Sequence, residues 1–168
     1  MDSDHVDRIV EQWAEQRPEL DTSGLRVAAR AIRLQRYLDQ AVSDAVRPFG
    51  LQVGELNVLA TLRRSGPPFQ LTPTQLYRGL LLSSGAMTNR LDRLEANHLI
   101  TRTVDPDDRR RVQVALTVRG REIIDQAMDA HVSRLDEVLA GIDDPQRTAL
   151  EDLLRTLLIR LEQEHDLT

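Results

Sequence analysis

Three consecutive arginines, Arg109, Arg110 and Arg111, directly follow an acidic turn sequence that ends at Asp108. Guanidinium groups stay charged and bind phosphates or guanine edges in a planar geometry, so arginines at a turn can lie along a DNA groove. The neighbouring aspartates could instead neutralise them in surface ion pairs of little energetic value. The turn alone leaves both interpretations open, and the surrounding elements must decide between them.

A second group of candidate DNA contacts lies about twenty residues earlier, where Ser83 or Ser84 can cap a helix over residues 85–97. Met87, Leu91 and Leu94 share one apolar face of this helix, and small polar side chains lie opposite. Such a face suits the first turns of a recognition helix, although an ordinary solvated helix has a similar pattern. The predicted contacts are Ser83, Ser84, Thr88, Asn89, Arg90, Arg93, Asp108, Arg109, Arg110 and Arg111.

The elements around these residues favour DNA binding. Thr72-Pro73-Thr74-Gln75 combines a capping threonine, a proline at the first helical position and a glutamine at the third, which indicates a helix start. This helix and the one over 85–97 form a helix-turn-helix pattern. Two β-prone runs, 99–104 and 111–116, then flank the arginine turn as a hairpin, or wing. The predicted fold class is α+β, mainly α: a winged helix-turn-helix with helices at both ends.

The terminal helices carry apolar stripes that need a partner surface. A short first helix ends before Pro18, a long second helix is capped by Thr22 or Ser23 and runs to about Arg47, and a third covers 54–64. Thr117 caps another long helix, and Asp144-Pro145 begins the last one. The stripes at the two ends predict a dimer interface formed by Val6, Ile9, Val10, Leu153, Leu154, Leu157, Leu158 and Leu161.

The charge of the chain is unevenly distributed. The net charge is −5, yet residues 78–121 carry nine arginines against five acids, leaving 13 arginines and 22 acids elsewhere. The absence of cysteine excludes disulfides and thiolate metal sites, and the four scattered histidines show neither metal nor triad spacing. We therefore expect no enzyme activity, no catalytic or metal site and no cofactor. No apolar run is long enough for a membrane span, so a cytoplasmic protein is expected.

The wing sequence resembles a known family. Asp108-Arg109-Arg110 through Leu116-Thr117-Val118-Arg119-Gly120 is similar to the D-x-R-x(5)-L-T-x-x-G signature of the MarR family of bacterial regulators. The resemblance extends over nearly the whole chain and implies that the family's wing arginine and aspartate are Arg110 and Asp108. It implies N-terminal helices over 1–50, a DNA-binding region over 51–118 and C-terminal dimerisation helices over 119–168.

Within that family, Trp13-Ala-Glu-Gln-Arg-Pro18 on an added N-terminal helix resembles the PecS-like, urate-responsive subgroup. The resemblance implies a ligand site at Trp13, Asn57, Arg90 and Arg102, although the subgroup has aspartate where this chain has Asn57. A planar anion such as urate would pack against the indole and meet the guanidiniums. Trp13 could equally be a packing anchor.

The sequence thus predicts a homodimeric DNA-binding regulator, a repressor rather than an activator, that binds a pseudo-palindromic operator and is attenuated by a small anionic aromatic ligand. A regulator responding to a different ligand is one alternative. A helical adaptor that binds only protein is the other, since terminal leucine stripes also suit partner docking. The arginines of the wing discriminate against the adaptor.

Overall fold

The structure is a computed structural model that describes residues 3–80, 84–104 and 112–166, without the side chains of 78–80, 84–86, 165 and 166. These residues form seven α-helices and three short strands, which confirms the predicted mainly helical α+β class. In chain order they are α1 His5–Gln16, α2 Ser23–Val46, α3 Val53–Arg64, β1 Gln70–Leu71, α4 Pro73–Leu80, α5 Ser84–Ala96, β2 Ile100–Val104, β3 Val112–Leu116, α6 Val118–Val138 and α7 Asp144–Asp166. No helix in the described ranges is long and apolar enough to cross a membrane.

Side-chain caps fix where several helices begin. Thr72 Oγ1 accepts the Gln75 amide at 3.2 Å while Gln75 Oε1 accepts the Thr72 amide at 2.8 Å, so the predicted capping box before α4 is present. Thr117 caps α6 by accepting the Gly120 amide at 2.8 Å, also as predicted. The expected cap of α2 is wrong in detail. Thr22 makes no capping bond there, and Asp21 instead accepts the Ser23 amide at 2.9 Å.

The sheet contains the predicted hairpin and one strand that the sequence analysis missed. β2 and β3 pair antiparallel from Ile100 opposite Leu116 to Val104 opposite Val112. The missed strand β1 pairs with the other side of β3, placing Gln70 opposite Ala115. The strand order is β1-β3-β2, so β2 is an edge strand. Through β1, the sheet connects the segment that precedes α4 to the strands of the wing.

The hydrophobic core surrounds α3, which contacts α4, α5, α6 and β3. Its Leu59 and Leu62 are fully buried, and the fully buried side chains that surround them come from each neighbouring element: Leu76, Leu94, Ile100, Val114 and Ile124. A buried aliphatic side chain stabilises a fold by roughly 1.5–3 kcal/mol, so this cluster outweighs any single polar contact in holding α4, α5 and the sheet together.

The two terminal helices differ in how much of their apolar surface the chain covers. Val6 and Val10 of α1, predicted as dimer contacts, are buried within the single chain, and Ile9 is half-buried. The assignment of Val6 and Val10 is corrected, because side chains already buried have no surface left for a second subunit. In α7 the opposite holds: Leu153 is 67% exposed and Leu157 50%, and none of the described α7 side chains is buried.

A close contact between α6 and the start of β2 generates a stability prediction. Gly120 is buried, and a Cβ added there would lie 1.9 Å from the Leu99 carbonyl oxygen. The methyl group of Gly120→Ala would overlap the Leu99 carbonyl, so the first turn of α6 must move away from Leu99. We expect a loss of about 1–3 kcal/mol in the free energy of unfolding. Denaturant titration measures it.

The matched control is Gly24→Ala in α2, where no atom lies within 4 Å of the added Cβ. Alanine favours helix over glycine, so stability should stay unchanged or rise slightly. Equal stability of the Gly120→Ala and Gly24→Ala variants would contradict the close contact.

Candidate nucleic-acid interface

The helix-turn-helix consists of α4 and α5, and its inner surface is apolar. Met87, Leu91 and Leu94 of α5 are buried, as is Leu76 of α4. This burial fixes which face of α5 is turned outward, because residues on one helix keep their spacing around the axis. Thr88 and Asn89, near the helix N-terminus, are exposed. The α5 face predicted to read bases therefore lies on the surface.

Arg90 lies on the flank of α5 that faces α3. A Cβ added to Gly54 would come within 2.3 Å of Arg90 Nε and 2.5 Å of its Cζ, so the guanidinium occupies the space that the glycine leaves. Arg90 NH1 is buried and has no hydrogen-bond partner among the described residues. An unpaired buried donor is costly, and this nitrogen therefore favours an acceptor from outside the described contacts.

Arg93 lies on the same flank and pairs with a buried acid. Its Nε is 2.8 Å from Glu55 Oε1, and Glu55 is only 1% exposed. The atoms are close without a hydrogen-bond alignment, so the contact is an ion pair. The other oxygen of Glu55 accepts the Gln52 amide at 2.7 Å and caps α3. Arg93 is thus tied to α3.

Arg102 of β2 binds two carboxylates on the opposite flank of α5. Its Nε donates to Glu95 Oε2 at 2.9 Å, its NH2 donates to Asp92 Oδ1 at 2.7 Å, and its amide donates to Glu95 Oε1 at 3.2 Å. The hydrogen bond from the Arg102 side chain lowers the pKa of the Glu95 carboxyl, and the reciprocal bonds to Glu95 and Asp92 raise the pKa of Arg102. Both shifts favour the charged forms.

The structure separates two of the four residues predicted to bind a ligand, Arg90 and Arg102. Arg90 and the partners of Arg102 are about 140–160° apart around α5 at 100° per residue, so the two guanidiniums do not share a site within the chain. Asn57 is exposed on α3 one turn beyond Gly54, on the Arg90 side. Trp13 is 43% exposed on α1, which contacts α2.

A cavity of about 390 Å³ opens between α4, α5 and the wing strands, on the Arg102 side. Its lining combines apolar and polar side chains, including Tyr77, Met87, Leu91 and Arg102. Asn57, Arg90 and Trp13 do not line it. Within the described parts of the chain no group of three or more His, Asp or Glu side chains could hold a metal ion.

Several predicted DNA contacts lie outside the described residues. These are Ser83, Asp108, Arg109, Arg110 and Arg111. Ser84 is the first residue of α5, and its side chain is not among those described. Sequence reasoning missed the acids that hold the arginines, namely Glu55, Asp92 and Glu95. Of these acids, only Glu55 belongs to a local sequence pattern, because it lies three residues after the N-cap residue Gln52 and forms a capping box with it.

Known proteins of similar sequence support this architecture. A family model described as the MarR family matches residues 49–111. The HTH-type transcriptional regulator PecS from Dickeya dadantii is 33% identical over 149 residues, covering 89% of this chain and 90% of its own. The chain belongs to the MarR family. It is therefore a DNA-binding winged-helix transcription regulator with a PecS-like relationship, and not an enzyme.

Solved structures show the same fold. A mutant MarR from E. coli complexed with operator DNA superposes with a TM-score of 0.69 at 24% identity, over 87% of this chain and 97% of that one. BpsR from Bordetella bronchiseptica, in a structure on regulation of its DNA binding by 6-hydroxynicotinic acid, gives 0.67 at 22% identity, over 78% and 91%.

Proposed function

We propose that this regulator represses transcription as a homodimer on a pseudo-palindromic operator and is released by a small anionic aromatic ligand. The observation that carries the proposal is the exposed polar N-terminal face of α5, since its apolar face is buried against the core. In this arrangement Ser83, Ser84, Thr88 and Asn89 meet base edges and Asp108–Arg111 form the wing tip. Arg90 and Arg93 face α3, so we assign them no base contact.

The helical adaptor, the alternative that the sequence left open, rests on exposed leucines such as those of α7. It does not account for the MarR-family relationship, so the symmetry of the operator is the next point to test. The promoter region beside the regulator's own gene is the DNA to test first, by footprinting. Protection of a two-fold symmetric site supports a dimer on a pseudo-palindromic operator, and protection of an asymmetric site contradicts it.

The wing contributes operator affinity through Arg110. We expect Arg110→Ala to weaken operator binding by roughly 1–3 kcal/mol if the arginine is inserted in a groove. Gel shifts at matched salt measure this, with Arg36→Ala as the control because Arg36 is an exposed arginine of α2. Circular dichroism of both variants should match the wild type. If both variants bind as tightly as the wild type, Arg110 is not a wing contact.

The dimer is held by α7, where Leu153, Leu154, Leu157 and Leu158 are 44–67% exposed in the single chain. Large apolar side chains exposed together on one helix normally mark an interface. We expect a mass of about twice the 19.1 kDa of one chain in sedimentation. Leu154→Glu with Leu158→Glu should give monomers that keep their fold but do not bind the operator, because both side chains are about half exposed already. Thr156→Glu, on the opposite side of α7, is the control. A monomeric wild type that binds the operator would refute the dimer.

The ligand site is proposed on the Arg90 side of α5. Two features support it: the unpartnered buried NH1 of Arg90 and the exposed Asn57 on the adjoining face of α3. The family resemblance adds Trp13, whose indole is exposed on α1. An anion that pairs with NH1 satisfies a donor that is otherwise unmet. Arg102 is left out because two carboxylates already neutralise it. A ligand that pulls the Arg90 guanidinium away from Gly54 would shift α5 relative to α3.

Calorimetry with urate and with 6-hydroxynicotinate tests this site. Trp13 is the single tryptophan of the chain, so quenching of its fluorescence reports a ligand beside it. Arg90→Gln should lower affinity about tenfold or more, as expected for a lost charge-assisted pair. Gly54→Ala, which displaces the guanidinium, should lower it too, while Arg102→Gln should not.

Asn57→Asp tests whether a negative charge at this position strengthens the effect of the ligand on DNA binding. An aspartate there is repelled by an incoming anion, so the ligand should release DNA more completely than in the wild type. If no anion binds below millimolar concentration, or if Arg90→Gln binds urate like the wild type, the site is wrong. Unquenched fluorescence with intact binding would make Trp13 a packing anchor only.

A further inference from the structure

The edge strand of the wing is attached to the reading helix by one side chain. β2 has β3 on one side only, so its other edge lacks a strand partner. On that edge the Arg102 amide donates to Glu95 Oε1 at 3.2 Å, and the Arg102 guanidinium reaches Glu95 and Asp92. Glu95 thus accepts hydrogen bonds from both the backbone amide and the guanidinium of Arg102. The contact therefore holds the strand itself in place, and not only a side chain.

The same contacts change the charge of the reading helix. Asp92 and Glu95 project from the C-terminal half of α5, and both are more than a third exposed. Free carboxylates on a helix that lies in the major groove would repel the phosphates that flank it. Arg102 compensates one full charge of this pair at hydrogen-bond distance.

We propose that Arg102 is a positioning residue for DNA recognition, which fixes β2 of the wing to α5 and offsets one of the two negative charges of Asp92 and Glu95. The reading helix and the wing then approach DNA as one unit. The role differs from the ligand-binding role that the subgroup resemblance implied for this residue. It concerns operator binding and is independent of the proposed ligand site at Arg90.

The first experiment compares two arginines in matched surroundings. Arg30 also binds two carboxylates of another element, with its Nε 2.9 Å from Asp4 and its NH2 2.6 Å from Asp7. Arg30→Gln and Arg102→Gln remove the same charge and the same kind of contact, but only Arg102 touches α5 and the wing. We expect Arg102→Gln to weaken operator binding about three- to tenfold, the size of one lost positioning contact and one uncompensated charge. Arg30→Gln should stay within about twofold of the wild type, as for a remote surface charge.

A second arm separates positioning from direct contact with DNA. In the background Asp92→Asn with Glu95→Gln, Arg102 has no carboxylate partners, so Arg102→Gln should cost no more than Arg30→Gln does. An arginine that binds a phosphate directly would cost the same in both backgrounds. That second result would overturn the proposal, as would equal operator affinities of Arg102→Gln and Arg30→Gln in the otherwise unchanged protein.

Titration of the Glu95 carboxyl by ¹³C NMR tests whether the contact exists in solution. In the wild type its pKa should lie below the ordinary range, and in Arg102→Gln it should return to that range. Since the free chain has the ordinary pKa, the contact contributes stability above that value and loses it as the pH falls through the lowered pKa. An ordinary Glu95 pKa in the wild type would overturn the proposal. Circular dichroism and melting of each variant confirm that a weak binder is folded.

Discussion

The arrangement of the DNA-binding region depends on how α5 buries three apolar side chains while carrying four charged residues. Met87, Leu91 and Leu94 fill the core. Each of these contributes roughly 1.5–3 kcal/mol, whereas an exposed ion pair contributes about 0–1 kcal/mol, so burial holds the helix in place. Arg90 and Glu95 then lie on the two flanks, and Asp92 and Arg93 lie further toward the outward face. Glu55 pairs with Arg93, and Arg102 pairs with Asp92 and Glu95. These pairs of opposite charge limit rotation of the helix about its axis.

This pairing explains how a chain of net charge −5 can present a reading helix to DNA. Of the acids near the helix-turn-helix, Glu55 is buried against Arg93, and Asp92 and Glu95 meet Arg102. Two arginines therefore offset two of these three negative charges within a few ångströms, and the field at the DNA is weaker than that of three unpaired carboxylates. The acids outside residues 78–121 lie mainly on helices remote from α5, where screening by salt reduces their effect at the DNA.

Local sequence signals predicted most elements, and long-range contacts account for the errors. Thr72 with Gln75, and Thr117 with Gly120, are caps within four residues, so the sequence contains all the partners. β1 has only two residues and exists because β3 passes beside it, which no local pattern encodes. Likewise, the stripe of α1 showed that Val6 and Val10 are buried but not whether α2 or a second chain covers them.

The candidate site was harder to predict for the same reason. Arg90 and Arg102 are both arginines near the reading helix, and the sequence cannot tell that one faces Gly54 and the other two carboxylates. That difference has a mechanical consequence. Under the two proposals, a ligand acts on the α3 side of α5, and Arg102 passes the displacement of α5 to β2 of the wing. Both operator contacts would then be lost together, because α5 and the wing would move as one body.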